Sequence, residues 1–179
     1  MVATVTTKIY VGVVTGTPQD LPASNLRFCA SDDYNPGNTY PIPIPGTSYN
    51  YSYTKSLAFY VTGAPDTSIT NIYIYGDTTS WGTGIAVMVG TSFPSTYVEA
   101  TGTLGTTGNE MTTFYTGTVN AVDFQANYTS VAPLGPIGQA INSGTGRYSY
   151  FVIFQARVGT TGTSGAKTPK TVTWRYDEV

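Results

Sequence analysis

Apolar residues fall at every second position along most of this chain, and no segment repeats at the 3.6-residue spacing of an amphipathic helix. Val5, Thr7, Ile9, Val11 and Val13 alternate with Thr4, Thr6, Lys8 and Tyr10, which predicts a long first strand. Leu26, Phe28 and Ala30 predict a second strand, and Leu57, Phe59 and Val61 a third. Ile72 and Ile74 oppose Tyr73 and Tyr75 in a fourth, and Ile85, Val87 and Val89 mark a fifth. The run "RYSYFVIFQARV", residues 147–158, is apolar on both faces, as a central strand is. Finally, Val172, Trp174 and Tyr176 alternate with Thr171, Thr173 and Arg175. Six or seven strands divided by turn signals predict an all-β fold: a single β-sandwich domain over residues 1–179, jelly-roll or Greek-key like, with long loops and an extended proline-rich arm.

Two segments depart from this pattern. Between residues 92 and 146 Gly, Thr and Pro dominate, and a connection longer than about 12 to 15 residues is usually functional or disordered. Phe114, Tyr115, Phe124 and Tyr128 would be odd residues to leave in water, so ordered contact loops are expected there. Asn-Gly and Asp-Gly, the strongest two-residue hairpin signals, are absent, which favours longer connections between strands.

The second departure is "TYPIPIPGTSYNYSYT", residues 39–54. Proline lacks an N–H and fixes φ near −65°, so Pro41, Pro43 and Pro45 predict a stiff extended arm that cannot donate along one edge. Period two would point Ile42 and Ile44 one way and the prolines the other. Tyr49, Tyr51 and Tyr53 would share the next face, with Asn50, Ser52 and Thr54 opposite. A tyrosine buries a large ring while its hydroxyl keeps a polar partner, which suits an interface. Five such side chains at about 1.5 to 2 kcal/mol each give roughly 8 to 10 kcal/mol before association costs. Two readings stand: the arm crosses a neighbouring subunit, or it folds over its own sandwich and covers a sheet edge.

Composition narrows the function. Charged residues are 10 % of the chain, against about 25 % in an ordinary soluble domain, and Thr, Gly, Ser and Tyr take their place. Such a surface has little charge repulsion to hold copies apart and suits a protein packed against neighbours. The net charge of −2 and the scatter of Lys8, Arg27, Lys55, Arg147, Arg157, Lys167, Lys170 and Arg175 argue against nucleic acid. Cys29 has no second cysteine to pair with and fits a packed strand position. No basic segment followed by an unbroken apolar core opens the sequence, and no stretch of about 18 apolar residues occurs. Assembly without export and no membrane partner are the expectations; the Asn50-Tyr51-Ser52 and Asn127-Tyr128-Thr129 triplets then read as chance matches to a glycosylation pattern.

Histidine is absent, which removes Ser-His and Cys-His nucleophiles and the commonest metal ligand. Carboxylates at Asp32, Asp33, Asp66, Asp77, Glu99, Glu110 and Asp123 show no spacing that points to glycoside hydrolysis. No catalytic residue, cofactor or metal is expected. "ASDDYNPGN", residues 30–38, could offer oxygen from Asp32, Asp33 and Asn35 to calcium, but reads better as an Asx-type turn closed by Asn-Pro-Gly. Trp81, in the Gly-rich "TTSWGTG", is the candidate for stacking on a sugar, whereas Trp174 alternates with Val172 and Tyr176 and reads as core.

"NLRFCASDDYNPGNTYPIPIPGTSYNYSYTKSLAFYVTG", "ITNIYIYGD", "ATGTLGTTG" and the terminal "VTWRYDEV" resemble a family of small virion structural proteins of tailed bacteriophages and proviruses. The likeness runs from about residue 22 to 179 and is weakest in the middle. It implies a capsid decoration (cement) protein that binds the major capsid protein or another virion protein, on the capsid exterior, as a symmetric oligomer such as a trimer. A tail-tube or neck and collar protein is the alternative within that class, and a carbohydrate-binding β-sandwich the alternative outside it. On the first reading Pro41, Ile42, Pro43, Ile44, Pro45, Tyr49, Tyr51 and Tyr53 form the interface. Asp177 and Glu178 would sit at a subunit boundary with Arg175 or a neighbour's lysine, or else in a frayed polar tail.

Overall fold

The alternation resolves into strands in the computed structural model, which describes residues 2–12, 16–20, 26–34, 36–120, 122–138 and 143–179. Val13, Asn35 and residues 139–142, part of the readings above, lie outside the described residues. The fold is all-β with antiparallel sheets and no barrel. The chain order is β1 (Thr4–Val11), β2 (Thr17–Asp20), β3 (Tyr49–Tyr51), β4 (Lys55–Gly63), β5 (Ile69–Gly76), β6 (Ile85–Gly90), β7 (Gly102–Thr103), β8 (Thr107–Gly108), α1 (Met111–Phe114), β9 (Val119–Asn120), α2 (Phe124–Asn127), β10 (Gly146–Arg147), β11 (Val152–Gly159) and β12 (Val172–Glu178).

The large sheet runs β2-β1-β4-β11-β6-β9, with β10 also on β4 and β3 also on β11. After β4 the chain leaves to form β5, returns as β6, and only later places β11 between β4 and β6. The strand read as apolar on both faces is thus central, and both faces of its sheet are covered. On one face Ile9, Leu57, Val87, Val89, Val152 and Phe154 meet Ile74 of β5, Phe124 of α2, Leu134 and Ile137. Further along the same face Phe59 and Val61 pack on Ile69, Ile72, Trp174 and Tyr176 from the β5–β12 ribbon. Trp174 fits there because its indole N–H donates to Thr7 Oγ1 at 2.9 Å while its ring meets Phe59 edge-on.

The opposite face shows why residues 92–117 are rich in aromatics. Ala58, Met88 and Ile153 point there and are roofed by Met111, Tyr115 and Phe151, with Tyr10, Tyr97 and Phe114 around them. Phe124 and Tyr115 are buried, and Phe114 and Tyr128 half-buried, so the excursion is a set of contact loops. Its two helical turns have four residues each, too short to write a helical repeat into the sequence.

Leu26–Ala30 does not form the second strand that alternation predicts. Tyr53 N–H donates to Cys29 C=O, Ala30 N–H to Tyr40 C=O, and Gly105 N–H to Ala30 C=O. These backbone groups are satisfied one at a time by three different segments, so no ladder develops. In β5 the buried side switches at Asn71, which takes φ 50° and absorbs the register shift opposite Arg175 and Asp177. Asparagine tolerates this left-handed conformation better than most residues.

Candidate docking surface

The arm is seated on its own chain. Tyr40, at φ 54°, accepts from Ala30 N–H at 2.8 Å, and Asn50 Nδ2 donates to Pro43 C=O at 2.9 Å, so the start and the middle of the proline run are tied down. Ile42 packs on the main core beside Leu26 and Phe28, whereas Ile44 is 42 % exposed. The half-buried positions are Ile42 and Pro45, with Pro41, Pro43 and Ile44 exposed. The spacing of three matches the turn of polyproline II, and it corrects the period-two expectation that paired Ile42 with Ile44.

The tyrosines form a gradient. Tyr49 is 46 % exposed, Tyr51 is half-buried, and Tyr53 is buried. β3 pairs with β11, and β4 continues along the same strand after a break at Ser52–Thr54. Ser52 N–H donates to Ala156 C=O, and Ala156 N–H donates to Ser52 Oγ, so the break stays attached. The β7–β8 hairpin closes over it: Thr107 Oγ1 accepts from Tyr51 N–H at 2.9 Å. At Gly108 an added Cβ would lie 2.1 Å from Ser52 O, so only glycine permits this approach. Burial, with the Glu110 carboxylate beside it, pushes the Tyr51 hydroxyl up to about 12. Tyr53 is therefore covered by its own chain and Tyr51 partly so, which leaves Tyr49 as the tyrosine that stays on the free surface assigned to all three from sequence.

Two buried polar residues brace this region, and neither was singled out by sequence reasoning. Gln155 Nε2 donates to Ser52 C=O and to Asn109 C=O, both at 2.7 Å, and its Oε1 accepts from Met111 N–H at 2.7 Å. Lys55 is fully buried and donates to Ser31 C=O at 3.0 Å and Asp33 C=O at 2.8 Å. Burial lowers its pKa, while Cys29, Asp32 and Asp33 hold it up. The acidic run therefore wraps its backbone carbonyls around a lysine. Asp32 Oδ2 accepts from Gly12 N–H, and burial raises its pKa. Among the described residues no group of three His, Cys, Asp or Glu side chains could hold a metal.

What remains free is a strip. Tyr40, Pro41, Pro43, Ile44 and Tyr49 are exposed, and Leu104 at the hairpin tip is 60 % exposed. Gly105, beside Leu104, lies against the Tyr40 ring, and the Asn50–Pro43 bond brings Tyr49 to the other end. Arg157 lies over the Tyr49 ring at 5.0 Å, and a depression of about 270 Å³ opens beside it, lined by Ser48, Tyr49, Gly84, Gly159, Thr160 and Thr161. Sequence reasoning missed Leu104, whose signal was an isolated apolar residue in "GTLGTTG". Trp81 is half-buried: its ring packs edge-on to Phe28 at 6.3 Å and against the main core. No helix among the described residues is long and apolar enough to cross a membrane.

Comparison of the chain with protein-family models, with curated proteins and with solved structures finds no match.

Proposed function

We propose that this chain is a structural protein of tailed-phage virions: a decoration protein that docks on the head shell through the strip from Leu104 to Tyr49. The observation that carries this reading is the manner in which the strip is held. Three prolines, the Tyr40 and Pro43 carbonyl bonds and the hairpin fix apolar side chains in solvent, where an unused loop would fold them inward. A preordered surface loses little conformational entropy on docking. The family resemblance supplies the virion, and the low charge of the chain suits life among packed subunits. The partner on this reading is the major capsid protein or another virion protein, with no cofactor and no reaction.

Immunogold labelling tests it, with antibody raised against the purified chain and tailed particles released by cells that carry its gene. Gold on the head exterior is the expected result, and particles carrying an Ile44→Ser, Tyr49→Ser and Leu104→Ser triple variant should lose the label. Gold confined to the tail or neck would move the protein there, and unlabelled particles would overturn the virion reading.

A further inference from the structure

The β5–β12 ribbon has one finished side and one open side. β5 is bonded on both flanks, to β12 and to the segment beyond α2, through Leu134 N–H to Ile74 C=O at 2.9 Å and Ile137 N–H to Ile72 C=O at 2.7 Å. β12 is different. Among the described residues no backbone N–H or C=O of Val172–Glu178 has a partner outside β5.

Exposed edges are normally blunted by proline, by short length, by a bulge or by charge. The large sheet follows that rule: β2 has four residues, contains Pro18 and carries the Lys8–Asp20 ion pair, and β9 has two residues. β12 keeps only the charges, at Arg175, Asp177 and Glu178. It has seven residues and no proline, and the register shift of the ribbon is taken up by Asn71 on β5. From Trp174 onward the strand alternates, with Trp174, Tyr176 and Glu178 half-buried and Arg175 and Asp177 exposed.

Among the described residues neither of those two charges has an opposite partner of its own. Arg175 donates to Ser130 C=O at 3.3 Å and lies over the Tyr73 ring, while Asp177 accepts from Asn71 Nδ2. We infer that β12 pairs antiparallel with β12 of a second copy of this chain about a two-fold axis through Tyr176, joining two ribbons into one four-stranded sheet.

Charge selects that register. A two-fold perpendicular to the sheet keeps the core-facing sides together and places residue i opposite j with a constant sum of positions. Centred on Arg175 it would set arginine against arginine, and centred on Asp177 aspartate against aspartate, both unfavourable. Centred on Tyr176, each Arg175 faces the partner copy's Asp177, twice by symmetry, and Thr173 faces Val179, which is 67 % exposed. This edge shares no residue with the strip, and the inference does not depend on the virion reading.

The test is sedimentation equilibrium of the full chain with charge-swap variants. Wild type should populate a dimer of twice the 19.0 kDa chain mass. Arg175→Asp and Asp177→Arg should each raise the dimer dissociation constant about 10-fold or more, since two pairs turn from attraction to repulsion. The double swap should restore dimerisation, and circular dichroism should show all three variants folded. A wild type that stays monomeric at high concentration, a trimer, or a folded double swap that stays monomeric would overturn the inference.

Discussion

Gln155 is the side chain on which the two covering layers of the arm region converge, and replacing it gives the sharpest test of how that region is held. It is fully buried in β11 and satisfies three backbone groups from two segments: Ser52 C=O from one, and Asn109 C=O and Met111 N–H from the other. Gln155→Leu keeps the volume and strands all three. Each orphaned buried group costs about 1 to 3 kcal/mol, and Asn109 C=O sits where water can reach it, so about 4 kcal/mol is expected. At about 2 to 4 °C per kcal/mol for a chain of this size, Tm falls by about 8 to 16 °C. Gln155→Glu adds a sign. Its carboxylate still accepts from Met111 N–H but sets negative oxygen against two carbonyls, so protonation is favoured in the folded state and its pKa rises above the ordinary value of about 4.3. The folded form then binds the extra proton. Stability is retained below about pH 4.3 and is lost as pH rises through the raised pKa. Thermal denaturation by circular dichroism at about pH 4 and about pH 7, each referenced to wild type, reads both effects. A Gln155→Leu protein within about 1 kcal/mol of wild type, or a Gln155→Glu protein with no extra pH dependence, would refute the reasoning.

Gly108→Ala should cost about 3 kcal/mol by thermal melt, because the new methyl meets the Ser52 backbone, which cannot yield as a side chain would; Gly46→Ala, with open space around it, should stay within about 0.5 kcal/mol. Trp174→Phe should lose about 1 to 2 kcal/mol in a denaturant titration by removing the bond to Thr7 and part of the packing on Phe59. Tyr10, Tyr51, Tyr53, Tyr97, Tyr115 and Tyr148 all have pKa values raised by burial, so they stay protonated in the fold past the ordinary value of about 10. Their share of stability is complete below about pH 10 and drains away as pH climbs towards the folded values. An ultraviolet titration should therefore show a late tyrosinate step that coincides with unfolding, and a single early step for all tyrosines would contradict it.

Strands β4, β5, β6, β11 and β12 were legible because a residue between two layers must alternate, or be apolar throughout, wherever the layers are sheets. Leu26, Phe28 and Ala30 alternate just as well, yet their neighbours are three separate segments, and alternation records burial without recording a ladder. Ile42 and Ile44 were paired by a strand rule in a segment whose prolines impose a three-residue turn. Lys55 and Gln155 were illegible for a different reason. Each sits in a strand where a polar residue normally faces water, and only the loops folded over that side, from distant sequence, turn it into a buried brace. For the same reason Tyr51 and Tyr53 read as surface: the hairpin that hides them lies some 50 residues further along the chain.

The collinear placement of β3 and β4 along β11 bears on mechanical load. Tension applied to a docked arm and directed along β3 would pass straight into the β3–β4 line and strain its bonds to β11 all at once, in shear. The same tension directed outward from the sheet would open those bonds one after another from Tyr49. Attachment through this arm should be strong against forces running along the surface of an assembly and weaker against forces that lift the protein off it.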